Sequence, residues 1–219
     1  MVNESEITEL CDWIKKEHPK WEKVSIVFMP FNELKIKWTR SFSVIDLSVS
    51  DYLEDAPAYV LKGILKKVIA NILGNKYTEN ANSRHVKYLK SEKFRKDNVD
   101  TFIERHVMRE MDTNDHQRFM EIVAELRNNG QLPDDINVFL AEDIRCSDLG
   151  DDPYRASPIF KCIGVDPLLN ENAMRAALIA GTYEIQKAFD EYPDVRHCND
   201  IRMEGLDRYR KMKQRYDLQ

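Results

Sequence analysis

At 219 residues, with 42% hydrophobic and 32% charged side chains, the chain has the balance of a globular protein, long enough for one generous domain or two small ones. A formal charge of -5 argues against a generic nucleic-acid binder, which needs a basic face to neutralise phosphates. The longest apolar stretch, Val60 to Leu73, is interrupted by Lys62, Lys66 and Lys67, so no membrane span is expected.

The chain opens acidic (Met-Val-Asn-Glu-Ser-Glu) and lacks the basic-then-apolar order of a signal peptide, which points to the cytoplasm. In that reducing compartment Cys11, Cys146, Cys162 and Cys198, without any Cys-x-x-Cys spacing, are read as free thiols. From Glu4 to Glu17, Ile7, Leu10, Cys11 and Ile14 recur at helical spacing, and His18-Pro19 ends the helix. Strand patterns follow at Val24–Phe28, Leu34–Trp38 and Ser43–Ser50, and three in a row predict an antiparallel meander. Asp55-Ala56-Pro57 then opens a helix whose wide apolar face, from Val60 to Leu73, marks it as a core helix stopped at Gly74-Asn75.

Ala81 to Met111 is helical but polar, and Asn114 to Asn128 is amphipathic, with Asn129-Gly130 as its stop. A strand at Ile136–Leu140, an acidic loop holding Asp148, Asp151 and Asp152, and a strand at Ile159–Val165 lead into a helix from about Glu171 to Phe189. The acidic loop lacks the alternating ligands and closing Glu of a calcium loop. Asp200 to Tyr216 closes the chain as a charged helix. His85, His106 and His116 are too dispersed in sequence to suggest a metal cluster. Basic residues gather at Lys87–Lys96 and at Arg208–Arg215, and each group reads first as a solvated helix face.

The plan of strand, turn and core helix occurs twice, at Ser43–Gly74 and at Phe160–Phe189. Such a helix is the frame on which zinc peptidases place H-E-x-x-H, two imidazoles one turn apart with a carboxylate as general base. Here Tyr183-Glu184-Ile185-Gln186-Lys187 keeps the glutamate and replaces both histidines. The earlier helix has Asn71, Ile72 and Asn75 at those positions and reads as a plain core helix. Two readings of the later helix stand: a degenerate site, or an amphipathic helix whose Glu184 and Lys187 form a solvent-facing i, i+3 pair.

The run Phe160-Lys-Cys-Ile-Gly-Val-Asp-Pro-Leu-Leu, the helix reaching Tyr183-Glu184, and His197 ahead of Ile201 and Glu204 together resemble the SprT-like (WLM or YgjP-like) zinc metallopeptidases. Tyr88-Leu-Lys-Ser-Glu-Lys-Phe-Arg-Lys is similar to a segment of large archaeal relatives of that family. The resemblance implies that Glu184 matches the general base and His197 the third ligand, while Tyr183 and Lys187 stand where the first two histidines belong. An ammonium cannot ligate zinc, so the resemblance implies lost peptidase chemistry, no metal and no other cofactor. Lys187 is expected to hold Glu184 in an internal ion pair.

The expected architecture is α+β, with zincin-like halves at 1–112 and 113–219, each a small antiparallel sheet with a core helix. The expected role is that of an inactive, metallopeptidase-like binding or regulatory module. An extended peptide would join by strand addition in a groove lined by Cys162, Gly164, Thr182, Tyr183, Glu184, Lys187 and His197. The alternatives are a zinc hydrolase with a rearranged set (Glu184, His197 and Glu204 or Asp200), or a nucleic-acid-associated protein using the basic C-terminal helix.

Overall fold

The computed structural model describes residues 4–77, 80, 82–107, 112–141, 152–191 and 195–217, with the backbone alone for 191 and 195–199. The chain divides into two compact units, Met1–Leu89 and Lys90–Gln219. The class is α+β: among the described residues there are seven α-helices and two mixed sheets of three strands each. None of the helices is long and apolar enough to cross a membrane, among the described residues.

The first unit opens with α1 (Glu4–Glu17), which buries Leu10, Cys11 and Ile14. Glu4 and Glu6 in its first turn and Lys15 and Lys16 in its last oppose the helix dipole favourably. Strands β1 (Lys23–Met29), β2 (Ile36–Ser41) and β3 (Val44–Ser50) follow. The expected antiparallel meander is not what forms. β3 lies in the middle, parallel to β1 from Lys23 opposite Val44 to Met29 opposite Ser50, and antiparallel to β2 from Ile36 opposite Val49 to Ser41 opposite Val44.

Burial explains the order. Ile45, Leu47 and Val49 of β3 are completely buried, so that strand takes the place flanked on both sides. β2, exposed along almost its whole length and carrying Lys37 and Arg40, takes an edge, where charge discourages unwanted pairing. Its turn into β3 places Phe42 at φ 45°, a left-handed conformation that side chains rarely adopt.

A 3₁₀ turn, Asp51–Leu53, leads to α2 (Ala58–Ile72), preceded by Pro57 and ended at Gly74 with φ +71°. α2 buries Val60, Leu61, Leu65, Ile69 and Ile72, and the short α3 (Arg84–Leu89) packs against it.

The second unit begins with α4 (Glu92–His106), where Phe94 N donates to the Ser91 side chain at 3.2 Å. α5 (Thr113–Asn128) is capped likewise, Asn114 N donating to Asp112 at 2.8 Å. Strands β4 (Asn137–Leu140), β5 (Tyr154–Ser157) and β6 (Cys162–Val165) repeat the order of the first sheet: the last strand is central, parallel to the first and antiparallel to the second. β5 is the strand that sequence periodicity does not announce. β6 is buried at all four positions, which again explains its central place and again overturns the antiparallel expectation.

Two long helices follow, α6 (Glu171–Glu191) and α7 (Val195–Asp217). Ala173 N donates to the Asn170 side chain at 2.9 Å and so starts α6. One core joins Ile163, Val165 and Leu140 of the sheet to Phe119, Ile122 and Leu126 of α5 and to Ala177, Leu178 and Ile185 of α6. The opposite face of the sheet meets α4, where Phe102 stacks on Phe160 at 4.6 Å and approaches Phe139 at 6.5 Å between ring centroids.

Candidate functional site

Glu184 lies on the buried side of α6 and is only 6% exposed. A carboxylate so placed needs a cation, and α7 supplies it: Arg202 Nη1 donates to Glu184 Oε2 at 2.8 Å. The same guanidinium donates through Nη2 to the carbonyl of Tyr154 at 2.7 Å and lies 3.2 Å from Asp152. Its plane sits 4.4 Å from the centroid of the Tyr154 ring.

The Tyr154 hydroxyl is buried beside this pair. Gly205 leaves it room: a Cβ there would stand 2.6 Å from the hydroxyl and 3.2 Å from Glu184 Oε2. Burial pushes the Glu184 carboxyl above its ordinary range, against the pull of Arg202. Burial and the neighbouring Glu184 charge both push the Tyr154 phenol upward. For Arg202 burial opposes the charge, and Glu184, Tyr154 and Asp152 together outweigh it, so the group stays fixed as a cation.

One turn along, a second contact repeats the theme with the charges exchanged. Lys187 Nζ donates to Glu204 Oε2 at 2.7 Å, and the Tyr183 hydroxyl donates to the same oxygen at 2.5 Å. Arg208 stacks on the Tyr183 ring at 3.7 Å. The hydrogen bond from Lys187 holds the Glu204 carboxyl below its ordinary range. The expected Lys187–Glu184 ion pair therefore does not form, and neither does a solvent-facing i, i+3 pair. Each residue pairs across to α7.

Thr182 is buried and donates its hydroxyl to Leu178 O at 2.8 Å within the helix. Cys162 and Gly164 sit on the other face of the sheet. Cys162 is buried, its thiol pushed up to about 12 by burial with α4 residues Arg95 and Asp100 nearby. A Cβ on Gly164 would stand 2.9 Å from Ala141 Cβ and 3.1 Å from the Phe139 ring. These residues and Tyr183, Glu184 and Lys187 thus do not share a groove.

The backbone of His197 belongs to α7, and its side chain lies outside the described residues, as do Asp148 and Asp151 of the acidic loop. A cavity of about 290 Å³ beside α6 is lined by Pro133, Ile136, Lys161, Ile185 and Phe189 among others, and by none of the seven residues expected from sequence.

Among the described residues the donor set does not fit zinc. Of the groups at the motif positions, Tyr183 and Lys187 spend their protons on Glu204, and Glu184 is neutralised by Arg202. A rearranged set using Glu184 and Glu204 would first have to break both ion pairs. Among the described residues, no group of three or more His, Cys, Asp or Glu is placed to hold a metal.

Arg202, Tyr154 and Asp152 are the members that sequence reasoning missed. One signal for them was present, Gly205 inside an otherwise helix-forming stretch, which marks a close approach. No known protein family, curated protein or solved structure matches the chain.

Proposed function

We propose that this is a catalytically inactive, metallopeptidase-like protein of SprT-like descent that works by binding an extended, acidic protein segment. The observation that carries the reading is the buried Glu184–Arg202 pair, 2.8 Å apart. A general base must accept a proton from water, and this carboxylate instead faces a guanidinium that also ties down Tyr154 and Asp152. Both units placing a helix after a sheet of the same order supports a repeated, zincin-like plan.

For strand addition, the Arg202 hydrogen bond to Tyr154 O occupies one outward carbonyl of the β5 edge. β2 is the better receiver. It pairs with β3 alone among the described residues, Trp38 is 47% exposed, and Phe42 at its turn is 97% exposed on a strained backbone. Lys35, Lys37 and Arg40 are exposed there, with no acid from Leu34 to Ser41, so an acidic partner strand is the complementary one.

The test has two arms. Wild type and Glu184→Gln are incubated with an unstructured protein substrate, and neither is expected to cleave it; cleavage by wild type that the variant loses overturns the inactive reading. An alternating Glu-Val peptide is then titrated against wild type, Arg40→Ala and Arg40→Pro. Ser50 N donates to Lys35 O, which turns the backbone groups of Ile36, Trp38 and Arg40 outward. Arg40→Pro should therefore abolish binding while Arg40→Ala only weakens it. Equal binding by all three would discard the edge.

A further inference from the structure

We infer that the first unit holds a binding site for a phosphate-bearing small molecule with an aromatic ring, in chemical class a nucleoside monophosphate. The inference does not depend on the Glu184 cluster or on the β2 edge.

A cavity of about 360 Å³ opens along the exposed side of α2, within the size range of small-molecule sites. Its cations are Lys62 and Lys66 from α2 and Arg84 from α3. None of its described lining residues is an Asp or Glu. Lys62 and Lys66 stand at i, i+4 on one helix face, an arrangement in which like charges repel.

Two of the three cations lie over aromatic rings. The Arg84 guanidinium lies 4.4 Å from the Tyr59 ring centroid, and Lys62 Nζ lies 4.9 Å from that of Trp13. A guanidinium stacked face-on keeps its N–H groups in the plane, where they can fork onto a phosphate. Three cations with no acid among the described residues that line this cavity describe a site for a doubly charged oxyanion better than one for a lone carboxylate.

The floor of the cavity has been shaped at a cost to the helix. Gly63 stands in the middle of α2, an unfavourable place for glycine. A Cβ at that position would come within 2.4 Å of Cγ and Nδ1 of His85, so the glycine exists to seat the imidazole against the helix backbone. At the rim Tyr59 and Tyr77 are 39% and 36% exposed and offer apolar ring surface to the rest of the ligand. A second cavity of about 260 Å³ shares Lys66 and Tyr77 and extends the groove towards Trp13 and His18, with one acid, Glu17, in its lining. Inorganic phosphate would leave most of this space empty, whereas a nucleoside monophosphate uses the cations and the rings together.

The experiment is calorimetric titration of the full chain with adenosine monophosphate, adenosine and inorganic phosphate at near-physiological salt. Adenosine monophosphate should bind saturably, and the other two about tenfold more weakly or worse. Lys66 is exposed, so Lys66→Glu should leave the melting temperature unchanged and weaken the nucleotide about tenfold or more. Gly63→Ala, which displaces the His85 ring, should also weaken it. Absence of saturable nucleotide binding, or binding indifferent to Lys66→Glu, overturns the site. Phosphate binding as tightly as the nucleotide overturns the ring contact. RNA binding that adenosine monophosphate cannot displace reassigns the patch to a polymer and overturns the proposal.

Discussion

The two units solve one problem in two ways. Each has a three-stranded sheet of the same order, central strand last, followed by a helix. In the first unit that helix is α2, whose buried residues Val60, Leu61, Leu65, Ile69 and Ile72 are all apolar and need nothing from elsewhere. In the second it is α6, which buries Glu184, and the unit carries an additional long helix that delivers Arg202 to it. An apolar helix face needs only a sheet to cover it, but a buried carboxylate obliges the fold to bring a cation. α7 supplies that cation and also packs Leu206 and Tyr209 against the core.

The most severe way to break this contrast is Arg202→Met. It leaves Glu184 buried without its cation and should destabilise the protein by about 3–5 kcal/mol, read by denaturant unfolding. The double variant Arg202→Met with Glu184→Gln should recover most of that loss. If the single and double variants are equally unstable, the pair is not what joins α6 to α7.

A smaller effect separates the glycines. Gly205→Ala forces a methyl to 2.6 Å from the Tyr154 hydroxyl, and Gly63→Ala forces one to 2.4 Å from the His85 ring. Each should cost about 1–3 kcal/mol despite the better helix propensity of alanine, with a fall in melting temperature as the readout. A gain in stability at either position would mean that the neighbouring ring moves freely.

Phe42→Gly works in the other direction. It relieves the positive φ of an exposed side chain and should stabilise the first unit by about 1 kcal/mol or less. No change would show that the turn holds no strain.

The subtlest comparison is in acid. Glu204, held low by Lys187, contributes stability that is complete above its ordinary value of 4.5 and is lost as pH falls through the lowered one. Asp135, held low by Lys161, behaves in the same way. Glu184 has the opposite sign. Its carboxyl is raised by burial, so protonation as pH falls through the raised value favours the folded state. Glu184→Gln removes that opposing contribution, and its stability should fall more steeply with acid than that of wild type. Parallel acid limbs would indicate that Glu184 titrates at its ordinary value.

Much of this fold was legible because periodicity and punctuation agreed. Leu10, Cys11 and Ile14 announced the buried stripe of α1, and Gly74 and Gly130, at φ +71° and +68°, ended α2 and α5 where glycine was needed. Strand order was not legible. Alternation along a strand reports which face is buried and says nothing about which neighbour it takes, so β1 and β4 were not readable as parallel partners of the third strand. β5 was hidden because Tyr154 to Ser157 is short and lies beside Pro153 and an acidic run.

At the site, Glu184 and Lys187 drew attention by their spacing on one helix. Their partners, Arg202 and Glu204, lie seventeen or more residues away on another, at distances that local pattern does not encode. Cys162 and Gly164 were misassigned for the reason that governs all strands: a neighbour in sequence to a helix can face away from it.

The placement of the central strand also bears on synthesis. As the chain leaves the ribosome, neither β1 with β2 nor β4 with β5 has a pairing to make, because in each sheet the shared partner is translated last. The antiparallel hairpin of β2 and β3 closes over two residues, so it can zip first, and β1 must wait beside it as a nascent, unpaired segment until that ribbon offers its free edge.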